Sequence, residues 1–369
     1  MIKKRYHINM LLSRKYYLHC FNLHPKIGAR TLQKIDRRIE DFEALWRRKI
    51  ALDQVKLNEN ICSLIKEVVN QFSPDEEKLK LDKNSINLTY CKDKNYPQLL
   101  REIPDYPPIL YYLGEINNSL VNIAIVGSRK YSTYGKMATE KIASDLVNSG
   151  INIVSGLALG IDAIAHREAV KKNRPTWAVL GCGVDNIYPS SHIQLARKII
   201  ASKGAIMSEF PPGMPSFSYN FPIRNRIIAG LSIATLVTEG MAKSGSLITA
   251  RCALDYNREV LTIPHSIFSA GGEGPHNLIK IGARLITSAD DILGELNLEK
   301  KIKQQKAKIE LCETPLEQDI IQALENENCH INELFKKVKC DLSTLSSTLT
   351  MLEIKGMVKN IGGNIFTKI

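Results

Sequence analysis

Between residues 121 and 263, short apolar runs alternate with helix-length amphipathic stretches. The runs are Val121-Asn122-Ile123-Ala124-Ile125-Val126, Ile151-Asn152-Ile153-Val154, Thr176-Trp177-Ala178-Val179-Leu180, Ala205-Ile206-Met207, Ile233-Ala234-Thr235-Leu236-Val237 and Val260-Leu261-Thr262-Ile263. Near-continuous apolar strands separated by helices predict an α/β fold, a parallel sheet covered on both faces. Such sheets take their ligands beyond the carboxyl ends of the strands. The residues directly after each run are therefore where function is sought.

The flanks follow other patterns. Residues 15–75 read as short helices with basic faces, and 85–120 carry aromatics with Tyr96-Pro97, Pro104 and Pro107-Pro108. A Lys/Glu/Gln-rich stretch, 297–312, reads as a linker. After it, Thr314-Pro315-Leu316-Glu317 forms a capping box with proline at the first helical position. A second helix is predicted near Ile331–Val338, and Leu342, Leu345, Leu349 and Leu352 give a third one apolar stripe. Val358 to Lys368, with Gly362-Gly363 at its centre, reads as a hairpin, completing a winged helix. The domain expectation is thus 1–84 helical, 85–296 sheet, 297–312 linker and 313–369 winged helix.

The turns after the strands share one chemistry. They are Gly127-Ser128-Arg129, Ser155-Gly156-Leu157 running on to Gly160, Gly181-Cys182-Gly183, and Ser244-Gly245-Ser246 beyond Glu239-Gly240. Glycine permits close backbone approach, a following helix offers free N–H groups, and serine adds donors. Arg224-Asn225-Arg226 places two guanidinium forks before an apolar helix, and such forks match phosphate oxygens. Together these residues predict a phosphate-binding shelf. A competing reading pairs Arg224 or Arg226 with Glu209 or Glu239 inside the fold. No turn is a G-x-G-x-x-G or G-x-x-x-x-G-K-[ST] motif, which argues against classical NAD binding and P-loop ATP hydrolysis.

Charge sharpens this picture. The formal net charge is +12, and residues 1–50 hold thirteen Lys/Arg against four Asp/Glu. Basic clustering points to polyanionic partners, either nucleic acid or an anionic membrane surface. Eight scattered cysteines form no C-x-x-C pair, so neither a zinc site nor a disulfide framework is expected. No apolar run is long enough to span a bilayer, and Ser13, Arg14 and Lys15 interrupt Met10-Leu11-Leu12. A cytoplasmic protein without metal or cofactor is expected. Asp162 and His166 lie four apart and read as an internal hydrogen bond; Asp185 and His192 carry no clear chemistry. Phe217, Tyr219 and Phe221 are candidates for base stacking, with core packing the favoured reading.

The ordered blocks from Tyr96-Pro97 and Pro107-Pro108, through Ala124–Arg129, Ser155–His166 and Phe221–Ser232 to Ser244–Ala250, resemble the DprA (Smf) family of DNA-processing proteins. The resemblance covers about residues 85–293. It implies an extended Rossmann-like, doubly wound sheet that binds single-stranded DNA without sequence preference. Dimerisation and delivery of a RecA-type recombinase onto the strand are also implied, in DNA uptake and recombination. Locally the chain departs from the family with Glu239-Gly240 for Glu-Ala and Pro264-His265 for Pro-Gly. Pro25-Lys26-Ile27-Gly28-Ala29-Arg30-Thr31-Leu32 resembles a helix–hairpin–helix turn in which Lys26 replaces the first glycine.

The rival reading is an enzyme. The same sheet variant occurs in nucleotide phosphoribohydrolases resembling the LOG proteins, whose P-G-G-x-G-T-x-x-E loop ends in a catalytic glutamate. Thr249 stands at that position here, and a hydroxyl cannot replace a carboxylate at an oxocarbenium-like centre. A non-catalytic binder is therefore expected. In the winged helix the third helix exposes mainly Ser and Thr, so sequence-specific readout is not expected. Auxiliary backbone contact by Lys336, Lys337 and Lys339, or a protein partner, remains.

Overall fold

All six predicted apolar runs form strands. The computed structural model describes residues 12–47, 55–298, 314–324, 328–338 and 340–368. From residue 299 onward the expected linker lies outside them. Nine strands build the large sheet: β1 (Asn87–Tyr90), β2 (Ile109–Gly114), β3 (Asn122–Val126), β4 (Asn152–Ser155), β5 (Thr176–Val179), β6 (Ala205–Ser208), β7 (Ala234–Val237), β8 (Glu259–Thr262) and β9 (Arg284–Leu285). Their order is β1-β2-β6-β5-β4-β3-β7-β8-β9. From β6 to β9 every pairing is parallel, while β2 runs antiparallel to both β1 and β6. The chain moves outward one way from β3 through β4, β5 and β6, then returns to the other side of β3 with β7. That reversal makes a topological switch point between β3 and β7.

Strands β1, β2 and β9 were not anticipated. Pro107-Pro108 masked β2, yet both prolines precede the strand, where no ladder N–H is required. β9 has two exposed residues, too few for a period to show.

Helices cover both faces. Alternate residues along β5 and just past it enter different cores: Trp177 and Val179 join one cluster, Ala178 and Leu180 the other. The second cluster is closed by α8 (Ile161–Lys171) and α9 (Ile193–Ala201), through Ala163, Leu195 and Ile199. On the first face lie α10 (Asn220–Gly230) and α11 (Ser246–Asp255), through Ile227, Ile228 and Ala250. Helix α7 (Thr133–Asn148) packs on α8, and α12 (Glu273–Lys280) follows β8.

The N-terminal helices are α1 (Arg14–Asn22), α2 (Ala29–Arg38), α3 (Phe42–Trp46), α4 (Glu59–Gln71) and α5 (Pro74–Lys83), with α6 (Gln98–Glu102) after β1. Leu18, Phe21, Ile35 and Ile65 belong to the same buried cluster as Tyr111, Trp177 and Met207. The helical segment thus shares the sheet's core instead of forming its own. His19 Nδ1 and the Tyr111 hydroxyl, 2.7 Å apart, add a buried polar tie between them.

The second compact unit begins at Asp290, inside the short helix α13 (Ala289–Glu295), and holds α14 (Pro315–Ala323), α15 (Ile331–Lys337) and α16 (Leu342–Ile354). Its small sheet has the order β10-β12-β11, formed by Cys329–His330, Ile365–Lys368 and Val358–Asn360. The capping box forms in full, with Glu317 N donating to Thr314 Oγ1 at 3.2 Å and Thr314 N to Glu317 Oε2 at 3.3 Å. Leu345, Leu349 and Leu352 reach the core, whereas Leu342, at the first turn, stays exposed. The predicted stripe is shorter by that residue.

Candidate nucleic-acid interface

Strands β3, β4, β5 and β7 bring the four Gly/Ser turns to one edge of the sheet, on both sides of the switch point. Their local roles differ from the simple shelf. Ser155 is fully buried and donates its hydroxyl to the Ile125 carbonyl at 2.6 Å. Gly156 N donates inward, to Asp162 Oδ2 at 3.0 Å. Leu157 is buried in a left-handed conformation, and His192 Nδ1 donates to its carbonyl at 2.8 Å. Ser128 binds locally, its Oγ donating to the Lys130 carbonyl and accepting from Lys130 N. Of the predicted shelf, the 155–157 turn is therefore occupied by the protein's own groups.

The two arginines of α10 also point inward, which corrects the expectation that both face phosphate. Arg224 is 4% exposed; its guanidinium donates to the Gly156 carbonyl at 2.7 Å and to the Val179 carbonyl. Arg226 is paired with Glu209 and stands 3.6 Å from Asp105. Burial lowers the Arg224 pKa to about 10, against the pull of the Asp162 charge. The same burial raises the Asp162 pKa, and Arg224 and the Gly156 and Ala158 amides offset it. Asn225 bridges outward: Oδ1 accepts from Arg224 Nε at 3.2 Å, and Nδ2 donates to the Gly245 carbonyl at 3.1 Å. So Arg224–Arg226 frame the edge and join α10 to the Ser244–Ser246 turn.

What the edge does present to solvent is a mixed basic and aromatic surface. Arg129 is exposed, and its guanidinium lies 5.5 Å from the Phe221 ring centroid. Phe221 lies against Gly181, where an added Cβ would stand 2.8 Å from the ring. Tyr188, 47% exposed, tilts onto Phe221 at 5.5 Å. Phe217 and Tyr219 stack on each other at 5.3 Å and 8°, both open to solvent. Core packing was the favoured reading for these rings; for Phe217 and Tyr219 the structure shows exposure instead. Lys130 and Lys243 are exposed beside the β3 and β7 turns, and Gly245 has open space around it. Tyr188, Lys130 and Lys243, exposed at this edge, do not stand out in the sequence. Their signal was position alone, within ten residues after a predicted strand.

At the switch point, Glu239 closes the start of α7. Its carboxylate accepts from Ser132 N at 2.9 and 3.2 Å, while Ser132 Oγ caps the helix by accepting from Gly135 N at 3.0 Å. Helix N-termini attract anions, and here a side chain supplies one. In the β7–α11 turn, Ser244 and Ser246 hydroxyls bond each other at 2.8 Å.

The enzyme-like positions carry structural tasks. Thr249 is buried at 1% exposure. Asp162 and His166 do not meet as expected: Asp162 holds the Gly156 amide, and His166 Nδ1 lies 2.8 Å from the Thr176 hydroxyl. Because that hydroxyl donates to the Ile153 carbonyl, His166 Nδ1 is the donor of the pair. Asp185 accepts from Gly213 N at 2.9 Å. In the winged helix, Thr348 and Thr350 hydroxyls bond back to the Thr344 and Ser346 carbonyls, and Lys355 pairs with Glu317 at 2.9 Å. Lys336 is exposed, Lys337 Nζ lies 3.3 Å from Cys329 Sγ, and Lys339 is outside the described residues.

A family model described as DNA recombination-mediator protein A matches residues 87–297, and one for the DprA winged helix domain matches residues 303–364. Protein Smf of Synechocystis sp. is 43% identical over 281 residues, 73% of this chain and 69% of that protein. The X-ray structure of DNA processing protein A from Streptococcus pneumoniae aligns with a TM-score of 0.65 at 32% identity, covering 76% of this chain and 97% of that one. DNA processing protein A from Helicobacter pylori, solved for its single-stranded DNA binding mode, aligns with a TM-score of 0.51 at 29% identity, over 57% of this chain and 95% of that one. The chain belongs to the DNA recombination-mediator protein A (DprA/Smf) family.

Proposed function

We propose that this chain is a non-catalytic binder of single-stranded DNA, gripping the strand along the carboxyl edge of its large sheet. The observation that carries the reading is the Arg129 guanidinium set over Phe221, beside Tyr188 and the exposed Phe217–Tyr219 pair. Cations supply nonspecific attraction to phosphate, and ring faces accept any unpaired base. A duplex hides its base faces, so this combination favours single strands. Lys130, Lys243 and the open Gly245 turn extend the same surface. Single-strand binding described for the Helicobacter pylori relative supports the assignment.

A mediator of recombination must pass its strand on. We take the recipient to be a RecA-type recombinase, with a homodimer holding the strand in the cytoplasm while recombinase subunits assemble. The buried Thr249 counts against hydrolase chemistry, because the carboxylate that chemistry needs is missing from that position.

The test is a titration of fluorescent oligo-dT and of its duplex at two salt concentrations. Tight single-strand binding that outcompetes duplex and falls steeply with salt is the expected result. Equal affinity for both forms would remove the stacking surface from the account. Binding and turnover of a nucleoside monophosphate would replace it with the phosphoribohydrolase reading.

A further inference from the structure

The single-strand reading leaves one strongly charged surface unused, the exposed side of α2. Arg30, Lys34, Arg37 and Arg38 are exposed, and among the described residues no hydrogen bond or ion pair engages them. Positions 30, 34, 37 and 38 share one side of the helix, with rises of about 6, 4.5 and 1.5 Å from each charge to the next. Two open clefts flank this ridge. One, about 470 Å³, runs from Arg30, Lys34 and Arg37 towards Pro104 and Tyr256. The other, about 340 Å³, runs from Lys34, Arg37 and Arg38 towards Lys56.

Helix stability does not explain the row. Arg37 and Arg38 suit the last turn, where cations offset the macrodipole. Arg30 stands in the first turn, against the positive end, with no acidic residue there. The one carboxylate of α2, Asp36, is buried on the other side, held by Arg14 and the Tyr90 hydroxyl. Of the carboxylates lining the first cleft, Asp105 is engaged by the Tyr256 hydroxyl at 2.7 Å, which leaves Asp255 at the rim.

We propose that the α2 ridge is a second nucleic-acid site, one that holds the phosphate backbone without regard to base or strandedness. A row of exposed, unpaired cations along one helix face matches a polyanionic phosphate chain. The bordering ring, Tyr256, is half-buried, so no stacking platform demands an unpaired base. Tyr256 follows the carboxyl end of α11, whose other end begins at Ser246 on the sheet edge. The two surfaces are separated by roughly the length of that helix, about 15 Å. The ridge stands on α2 alone; only the oligo-dT arm of its test rests on the single-strand reading.

The test uses the full chain carrying Arg30→Glu, Lys34→Glu and Arg37→Glu together, titrated with a short blunt duplex and with oligo-dT. Duplex affinity is expected to fall at least about tenfold, with the salt slope reduced by about two to three charges. Oligo-dT affinity is expected to change less than about twofold, because the sheet edge remains. Unchanged duplex affinity and slope overturn the proposal. A measurement on the unaltered chain covers a variant that fails to fold: acetylation of Lys34, read by mass spectrometry, with and without duplex. Protection by duplex supports the site. No protection, or protection by a polyglutamate peptide and not by duplex, overturns it in favour of an acidic protein partner.

Discussion

The Arg224 guanidinium lies against the backbone of Gly156, donating to its carbonyl at 2.7 Å, and a Cβ on Gly156 would stand 2.6 Å from it. A charged group is thus clamped under a turn that could pass for a phosphate loop. The turn's amide is held from the same side by Asp162, so cation and anion together fix Ser155–Gly160 from within.

Arg224→Met should therefore act on stability before binding. It removes the donors to the Gly156 and Val179 carbonyls and leaves Asp162 buried without its nearby cation, a loss of about 3 kcal/mol or more. Urea denaturation would show a lower midpoint, and Gly156→Ala should lower it too. An unshifted midpoint with lost DNA binding would instead place the guanidinium on the strand.

Arg129 and Tyr219 test the exposed half of the edge, and salt separates them. On the proposed function, Arg129→Ala should weaken oligo-dT binding and reduce the salt slope by about one, since it deletes one exposed cation of the edge. Tyr219→Ala should weaken binding by about 1–3 kcal/mol through lost stacking while leaving the slope in place. Neither side chain is buried, so both variants should melt with the parent protein. A slope change in Tyr219→Ala, or none in Arg129→Ala, would reverse the assignment of charge and stacking.

The sequence carried the sheet's centre well, because six apolar runs with glycine turns have few other solutions. It carried the site's chemistry less well. Arg129 and Arg224 look equivalent in a list of residues, each near a glycine turn. What separates them is helix phase: Arg224 is on the side of α10 facing the sheet, whereas Arg129 sits in a turn that leaves it at the surface. Phe217 and Tyr219 read as core residues in sequence because aromatics are usually buried. Their exposure comes from an irregular segment between β6 and α10, which no period describes. The α2 ridge was visible as clustered charge, yet only the fold shows that Asp36 turns away from it.

Glu239 and Gly135 form a coupled pair at the switch point. A Cβ on Gly135 would collide with the Glu239 carboxylate that holds Ser132 N. Gly135→Ala should cost about 1–3 kcal/mol by overpacking, and Glu239→Ala a similar amount by leaving that amide without its acceptor. The double variant should be less damaged than the two losses added, by at least about 0.5 kcal/mol, because the collision disappears with the carboxylate. Strict additivity in a double-mutant cycle would mean that the two groups do not share the space.

His166 sets a pH dependence of known sign. The ring is fully buried, and burial, with smaller contributions from the His192 and Arg224 charges, lowers its pKa to about 3 from an ordinary 6.5. It is neutral in the folded chain, with Nδ1 donating to the Thr176 hydroxyl and Nε2 buried without a partner. Below pH about 6.5 the unfolded chain takes up a proton that the folded chain refuses. The contribution to stability is then complete above the unfolded pKa and is lost progressively as pH falls towards about 3. Between about pH 8 and about pH 5 the loss from this residue is on the order of 2 kcal/mol. His166→Gln keeps a donor for Thr176 and does not titrate. Chemical denaturation at both pH values should show the parent protein losing more stability than this variant by that amount. Equal losses would mean that His166 takes up its proton in the folded state, and that the Thr176 contact does not hold it neutral.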